Sequence, residues 1–274
     1  MVKNKRVLVT GFAGSIGSEL TRQLVASKNK VYGLDINETN AFDLMTELGI
    51  PGRIGDVRDP ETVNEIFEDF KPEYVFHAAA LKHVTPMEYA PIEAIKTNVI
   101  GTYNVLQASK VHPIDKFVFI STDKAVNSNS IMGATKRLAE IMTRNSGKGY
   151  IVTRFGNVLG SRGSLIPIWE RQIAAGGPIT VTDPNMQRFF MTIEEACKLV
   201  IDAADKGSGG EIIVLDMGTQ VNILDLAKEI IFKSGRNIEI KITGMRPGET
   251  LEEKLMLDEE QRVAVKDGPY WIIR

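Results

Sequence analysis

Apolar residues in the first half of the chain come in short runs separated by amphipathic stretches. The runs cover residues 6–10, 31–35, 53–57, 74–80, 116–121 and 150–155. Several lack strict alternation with polar residues, as strands covered on both faces should. Between them apolar residues recur at helical spacing, with Ile16, Leu20 and Leu24 marking the first helix. Pro60 and Pro91 read as first-turn prolines, Pro91 opening a long helical run to Ser109. Strand and helix in strict succession predict a doubly wound α/β fold, a parallel sheet with right-handed crossovers.

The pattern loosens after Gly156. Helices are expected over 164–175, 192–205 and 224–232, and strands over 179–182, 212–215 and 238–242. This reads as a sheet domain over 1–157, to which part of 186–218 returns. A smaller, interleaved C-terminal substrate lobe is expected over 158–185 and 219–274.

Composition narrows the function classes. The 274 residues carry a net charge of −2, which leaves no basic footprint for nucleic acid. No apolar run approaches the roughly 20 residues that span a bilayer. The N-terminal residues lead straight into a strand, so no signal peptide is expected. The single Cys197 excludes an internal disulfide and fits a reducing, cytoplasmic setting. It reads as a small core residue. Three scattered histidines, His77, His83 and His112, and one cysteine make no metal site. His77 sits within a strand and reads as a satisfied core histidine.

The first strand runs into a loop in which Gly11, Gly14 and Gly17 form G-x-x-G-x-x-G before a helix. Glycines there let the backbone turn tightly and approach a pyrophosphate at the helix N-terminus, the Rossmann arrangement. Asp35 closes the second strand, where an acid accepts hydrogen bonds from the adenosine ribose and repels a 2′-phosphate. Asp56 and Val57 end the third strand, where adenine is expected. Ala78, Ala79 and Ala80 end the fourth, small enough for a cofactor to lie against the backbone.

The fifth strand delivers Ser121, Thr122, Asp123 and Lys124 to its carboxyl end, where open α/β sheets place their chemistry. The helix that follows carries Met132 and Lys136, four apart and so on one face. A hydroxyl, an acid and two lysines thus converge. Short-chain dehydrogenases carry tyrosine where Met132 stands, and methionine cannot carry a proton.

These features resemble the extended short-chain dehydrogenase/reductase family. Within it the chain is most similar to the UDP-N-acetylglucosamine 4,6-dehydratases of polysaccharide and glycan biosynthesis. The resemblance rests on residues 11–17, 54–59, 76–84, 121–136, 154–160 and 246–249, and covers nearly the whole chain. It implies NAD as cofactor, with further contacts from Phe12, Ala13, Ser15, Ile16, Ile36, Lys82, Asn98 and Ser121. It implies C4 oxidation, loss of water across C5 and C6, and return of the hydride to C6. Asp123 and Lys124 match the family's acid and base, and Thr122 the hydroxyl that meets O4. A lysine base needs its pKa lowered, and Lys136 is the cation expected to do this while binding the nicotinamide ribose. With Met132 unable to deprotonate O4, a water, Asp123 or a ribose–Lys136 relay must. Lys82 and His83 are expected to border the sugar, Asn157, Arg188 and Arg246 the diphosphate, Val181 the uracil and Glu249 the uridine ribose. Arg162 and Arg171 have no such match. The helices 92–109 and 132–144 match those that pair homodimers or higher homo-oligomers in the wider family.

Two other readings compete. A UDP-sugar 4-epimerase shares fold, cofactor and substrate, but epimerisation at C4 needs no acid–base pair at C5 and C6. A non-catalytic NAD-binding sensor is permitted by Met132, yet needs neither Asp123, Lys124, Lys136 nor a sugar lobe. The expected substrate is UDP-N-acetylglucosamine or a related UDP-hexosamine.

Overall fold

The computed structural model describes residues 2–274. It opens with β1 (Arg6–Thr10), α1 (Ser15–Ala26), β2 (Lys30–Asp35), α2 (Glu38–Leu48), β3 (Gly52–Ile54), α3 (Pro60–Phe70) and β4 (Tyr74–His77). Then come α4 (Val84–Tyr89), α5 (Pro91–Ala94), a π-helical stretch (Ile95–Gly101) and α6 (Thr102–Val111). β5 (Lys116–Thr122), a 3-10 turn (Asp123–Ala125), α7 (Ile131–Arg144) and β6 (Tyr150–Phe155) complete the nucleotide half.

Six strands in the order β3-β2-β1-β4-β5-β6 run parallel. The order reverses between β1 and β4, which opens a crevice beyond the carboxyl ends of the strands. All six residues of β6 and five of the seven of β5 are buried, which is why these strands read as unbroken apolar runs. α1, α2 and α9 (Ile193–Lys206) cover one face through Leu20, Leu24, Leu44, Ala196 and Val200. α3, α6 and α7 cover the other through Val63, Phe67, Val105, Leu106 and Ala139.

The smaller lobe is built from β7 (Asn157–Leu159), α8 (Leu165–Ala174), β8 (Ile179–Val181), β9 (Gln187–Arg188) and β10 (Phe190–Thr192). It is completed by β12 (Val221–Asn222), α10 (Ile223–Ser234) and β13 (Ile240–Ile242), β13 pairing with β8 in parallel. Trp169, Ile173, Ile179, Val181, Met186 and Ala227 form its own core. Between these pieces α9 and β11 (Ile212–Leu215) return to the large sheet, β11 alongside β6.

Two expectations need correction. The lobe does not run to residue 274. After α11 (Asp258–Val263), the hairpin β14 (Val265–Asp267) and β15 (Tyr270–Ile273) joins the large sheet, β15 antiparallel to β11. The apolar Tyr270-Trp271-Ile272-Ile273 covers an edge that β11 would otherwise expose. The helical run from Pro91 is also not one α-helix. Its middle is π-helical, where Gly101 packs so close to Val57 that an added Cβ would lie 2.7 Å from the valine side chain.

Candidate active site

A cleft of about 920 Å³ separates the lobes at the carboxyl ends of the strands. Its floor at the sheet is glycine. A Cβ at Gly17 would lie 2.0 Å from the carbonyl oxygen of Gly11, and one at Gly11, whose φ is +68°, would lie 2.6 Å from the Ala79 nitrogen. Only glycine permits this approach of loop, helix and β4. Gly11, Gly14, Ser15, Ile16, Gly17, Ala78, Ala80, Lys82, Ser121 and Lys136 line the cleft. That concave backbone at a helix N-terminus fits a dinucleotide pyrophosphate.

Other expected cofactor residues stand back from the cleft. The Phe12 ring is wholly buried under Gly33, where a Cβ would meet it at 2.4 Å, so Phe12 offers the cleft only its backbone. Val57 is likewise a core residue and Ala13 is buried. Asp35 is held beside the loop, accepting from the Ala13 N–H at 2.9 Å and the Asn37 N–H at 2.9 Å. Ile36 beside it is exposed. Asp56 accepts from the side chain of Arg58 at 2.6 Å. Asn98 is buried, and both ends of its amide are spent on the backbone of Leu81 and on Thr135. It fixes the loop after β4 rather than facing the cleft.

The turn after β5 carries the reactive cluster. Thr122 Oγ1 donates to Asp123 Oδ1 at 2.8 Å, and Lys124 Nζ donates to the same oxygen at 2.9 Å and to Asn157 Oδ1 at 3.2 Å. Asp123 is fully buried, and its Oδ2 has no partner among the described residues. It reaches the cleft through Thr122 and Lys124, which line it. Ser130 caps α7 by accepting from the Gly133 N–H at 3.1 Å. A Cβ at Gly133 would fall 2.2 Å from the Lys124 carbonyl oxygen, so glycine lets α7 close onto the turn. Met132 and Lys136 then face the cleft from α7.

The surroundings shift the two lysines in opposite directions. Burial pushes Lys136 down to about 7, with Glu140 opposing only in part. Its Nζ donates to the Ile120 carbonyl at 2.5 Å and stands 4.0 Å from the centre of the Phe119 ring. Burial also acts to lower Lys124, but the carboxylates of Asp123 and Glu253 outweigh it and hold Lys124 above its ordinary value. The cation that faces Lys124 is Arg188, a correction to the expected Lys136.

His83, after β4, lines the cleft from the sheet side, and Asn157, Val181, Arg188, Arg246 and Glu249 line it from the lobe side. Val181 is almost entirely covered and Arg246 is exposed. Arg188 spends three N–H groups on the carbonyls of Gln187, Leu251 and Thr250, so it braces the chain as well as facing the cleft. The Glu249 carboxylate accepts from the Arg246 backbone N–H at 2.9 Å. Lys82 donates to the Arg162 carbonyl at 2.8 Å. Arg162, which no motif marks, bridges the lobes: its N–H donates to Ser15 Oγ at 3.0 Å and its guanidinium to the Ala13 carbonyl. Glu253, at 3.7 Å from Lys124 Nζ, is the second residue the sequence reading misses. No local signal marks either one. Their positions follow only from the packing of the two lobes. Among the described residues no cluster of three or more His, Cys, Asp or Glu side chains could hold a metal ion. Among the described residues no helix is long and apolar enough to cross a membrane.

Comparison with known proteins agrees with this geometry. The family described as "Polysaccharide biosynthesis protein" matches residues 7–274. The chain is 48% identical to the capsular polysaccharide biosynthesis protein CapD of Staphylococcus aureus over 92% of its length, but spans only 45% of that protein. It is 34% identical to the UDP-N-acetylglucosamine 4,6-dehydratase (inverting) of Campylobacter jejuni, covering all of this chain and 84% of that protein. It is 37% identical to the UDP-glucose 4-epimerase of Rickettsia rickettsii, covering 96% of this chain and 81% of that protein. Among solved structures, Pen from Bacillus thuringiensis superposes with a TM-score of 0.94 at 38% identity, over 99% of this chain and 89% of that one. The glycine cradle, the turn after β5 and these matches place the chain in the polysaccharide biosynthesis protein family, among the extended short-chain dehydrogenase/reductases that include nucleotide-sugar dehydratases and epimerases.

Proposed function

We propose that the protein is an NAD-dependent UDP-N-acetylglucosamine 4,6-dehydratase, a hydro-lyase that forms a UDP-4-keto-6-deoxy-hexosamine. The observation that carries this reading is the joined cluster of Thr122, Asp123 and Lys124 at the cleft floor. NAD⁺, when bound, supplies the acceptor for the C4 hydride and the donor that returns it to C6. The cradle of Gly11, Gly14 and Gly17 holds its pyrophosphate, Asp35 its adenosine ribose and Lys136 its nicotinamide ribose. Asp35 disfavours a 2′-phosphate, so NAD is used rather than NADP.

Thr122 holds the sugar O4. The 2.8 Å bond from its hydroxyl to Asp123 supports Asp123 as the group that takes the O4 proton by way of Thr122, since Met132 cannot. Asp123 then holds the proton needed by the leaving C6 hydroxyl. Lys124 takes the C5 proton, which the 4-ketone has made acidic. Arg188, Arg246 and Asn157 face the UDP diphosphate, Val181 the uracil and Glu249 the uridine ribose. The sheet domain acts with the lobe of 157–192 and 219–257, and the C-terminal hairpin belongs to the sheet.

The chain is also proposed to work as a homodimer. Ile92, Ile95 and Tyr103 on one helical run and Leu138 and Ile141 on α7 are exposed, an apolar stripe that a second copy would cover. The epimerase reading has the Rickettsia protein on its side. The acid–base cluster speaks against it. Incubation with UDP-N-acetylglucosamine and NMR of the product separates the two. A C6 methyl beside a 4-ketone supports the dehydratase, and a hexosamine inverted at C4 with its C6 hydroxyl intact overturns it.

A further inference from the structure

The cleft contains one buried acid that the mechanism above does not use. Glu253 lies beyond the lobe's last strand on backbone that is held firmly. Its carbonyl accepts from Gln220 Nε2 at 2.7 Å, and the carbonyls of Thr250 and Leu251 are tied to Arg188. Its carboxylate is 3.7 Å from Lys124 Nζ and 3.8 Å from Arg188 Nη2. An ammonium has three N–H groups. Asp123 and Asn157 accept two of those on Lys124, and Glu253 is the acid that stands near the third. The charges that bear on Glu253 are Lys124 and Asp123 from the turn after β5 and Arg188 from β9. Burial pushes the Glu253 carboxyl above the usual carboxylate range, Lys124 and Arg188 pull it back, and Asp123 pushes it further up.

Elimination needs a free amine at position 124, and the cluster as it stands holds that amine as a cation. We infer that Glu253 is a positioning residue that accepts the third ammonium proton of Lys124 when a substrate diphosphate engages Arg188, so that binding itself frees the base. This rests on the dehydratase reading above. The step is a proton transfer: an N–H bond at Nζ breaks, an O–H bond at Oε1 forms, and no electrons change hands. An anion on Arg188 removes the cation that favours charged Glu253. Closure by the sugar excludes water and favours the neutral pair. The diphosphate, rather than the pH of the medium, then switches the base on.

The test is the pH dependence of water loss from UDP-N-acetylglucosamine in wild type, E253Q and E253D. Glutamine keeps the shape but accepts no proton. The ratio of the E253Q rate to the wild-type rate is expected to be about 10⁻² near pH 7, the scale of one lost proton-transfer partner. That ratio should rise about tenfold per pH unit as Lys124 begins to lose its proton to solvent. E253D should bring the ratio back toward one. A ratio of one throughout, or a lowered ratio that does not vary with pH, overturns the inference, the second result marking a merely structural role. If wild type itself yields no 4-keto-6-deoxy product, the dehydratase reading has failed and the inference falls with it. A second measurement needs no turnover and no E253Q. The ¹³Cε signal of Lys124, assigned by its loss in K124M, should move toward the neutral-amine position when UDP is added to the wild-type holoenzyme. A signal that stays at the ammonium position overturns the inference.

Discussion

Lys124 and Lys136 face one cleft, and burial acts on both in the same direction with opposite outcomes. Lys136 has only Glu140 to offset desolvation and falls to about 7, whereas Lys124 has two carboxylates and rises. Charge partners, not depth, set the direction in which each lysine shifts. Replacing Asp123 by Asn, or Lys124 by Met, is expected to slow water loss by about 10²–10⁴, the usual worth of positioned proton transfer. Release of NAD⁺ on denaturation should be unchanged, and M132A should be milder than either. His77 supplies a pH prediction. Burial, with Lys136 adding to it, pushes its imidazole down to about 3, and it is bonded to Thr10 and Thr102 as a neutral ring. The unfolded chain therefore binds the extra proton first. Stability is fully present above about pH 6.5 and falls by about 1.4 kcal/mol per unit as the pH drops toward 3. Urea midpoints of wild type and His77→Gln compared between these limits check it, and parallel curves would contradict it. Thr122, Asp123 and Lys124 were legible because strand, turn and helix put them together locally. Glu253 was not, because only lobe packing brings it to Lys124. The burial of the Phe12 ring was not legible, because it depends on the absent side chain of Gly33, a neighbour in space and not in sequence.

Elements were legible where their pattern is local. β1, β6 and β11 occupy the expected positions, since each is an apolar run of strand length between turn residues. The hairpin over 265–273 was not, because Val265–Asp267 is exposed and only Tyr270 and Ile273 of β15 are buried. Besides the pairing of β15 with β11, a buried charge network fastens the segment that leads into the hairpin. Arg154 in β6 is fully buried and bonds Glu140 of α7 at 2.8 Å and Glu260 of α11 at 2.7 Å. Ser121 donates to Glu140, and Arg137 donates to both acids. R154M would leave both carboxylates buried without their main partner, at a cost of about 3–5 kcal/mol. Denaturant unfolding should show that loss, and amide exchange should show faster opening over 255–273 than over β1. Equal protection in both segments would mean that the network does not hold the C-terminal hairpin.

At the scale of the whole molecule, the sheet places a cradle and a proton-carrying turn on one wall of a cleft, and the lobe places arginines and a second acid on the other. The fold class was readable from alternation alone, while the lobe's C-terminal boundary required the tertiary pairing of β15. The exposed stripe of Ile92, Ile95, Tyr103, Leu138 and Ile141 carries a prediction of assembly. Light scattering should give the mass of a dimer for wild type and of a monomer for a Tyr103→Glu, Leu138→Glu double variant, and a monomeric wild type would contradict it. The central claim is elimination with internal hydride return, and isotope transfer tests it most directly. UDP-N-acetylglucosamine labelled with deuterium at C4, turned over in ordinary water without added cofactor, should give a 4-keto product whose new methyl group is CH₂D. A methyl group without the label, or a product that keeps its C6 oxygen, would contradict the account.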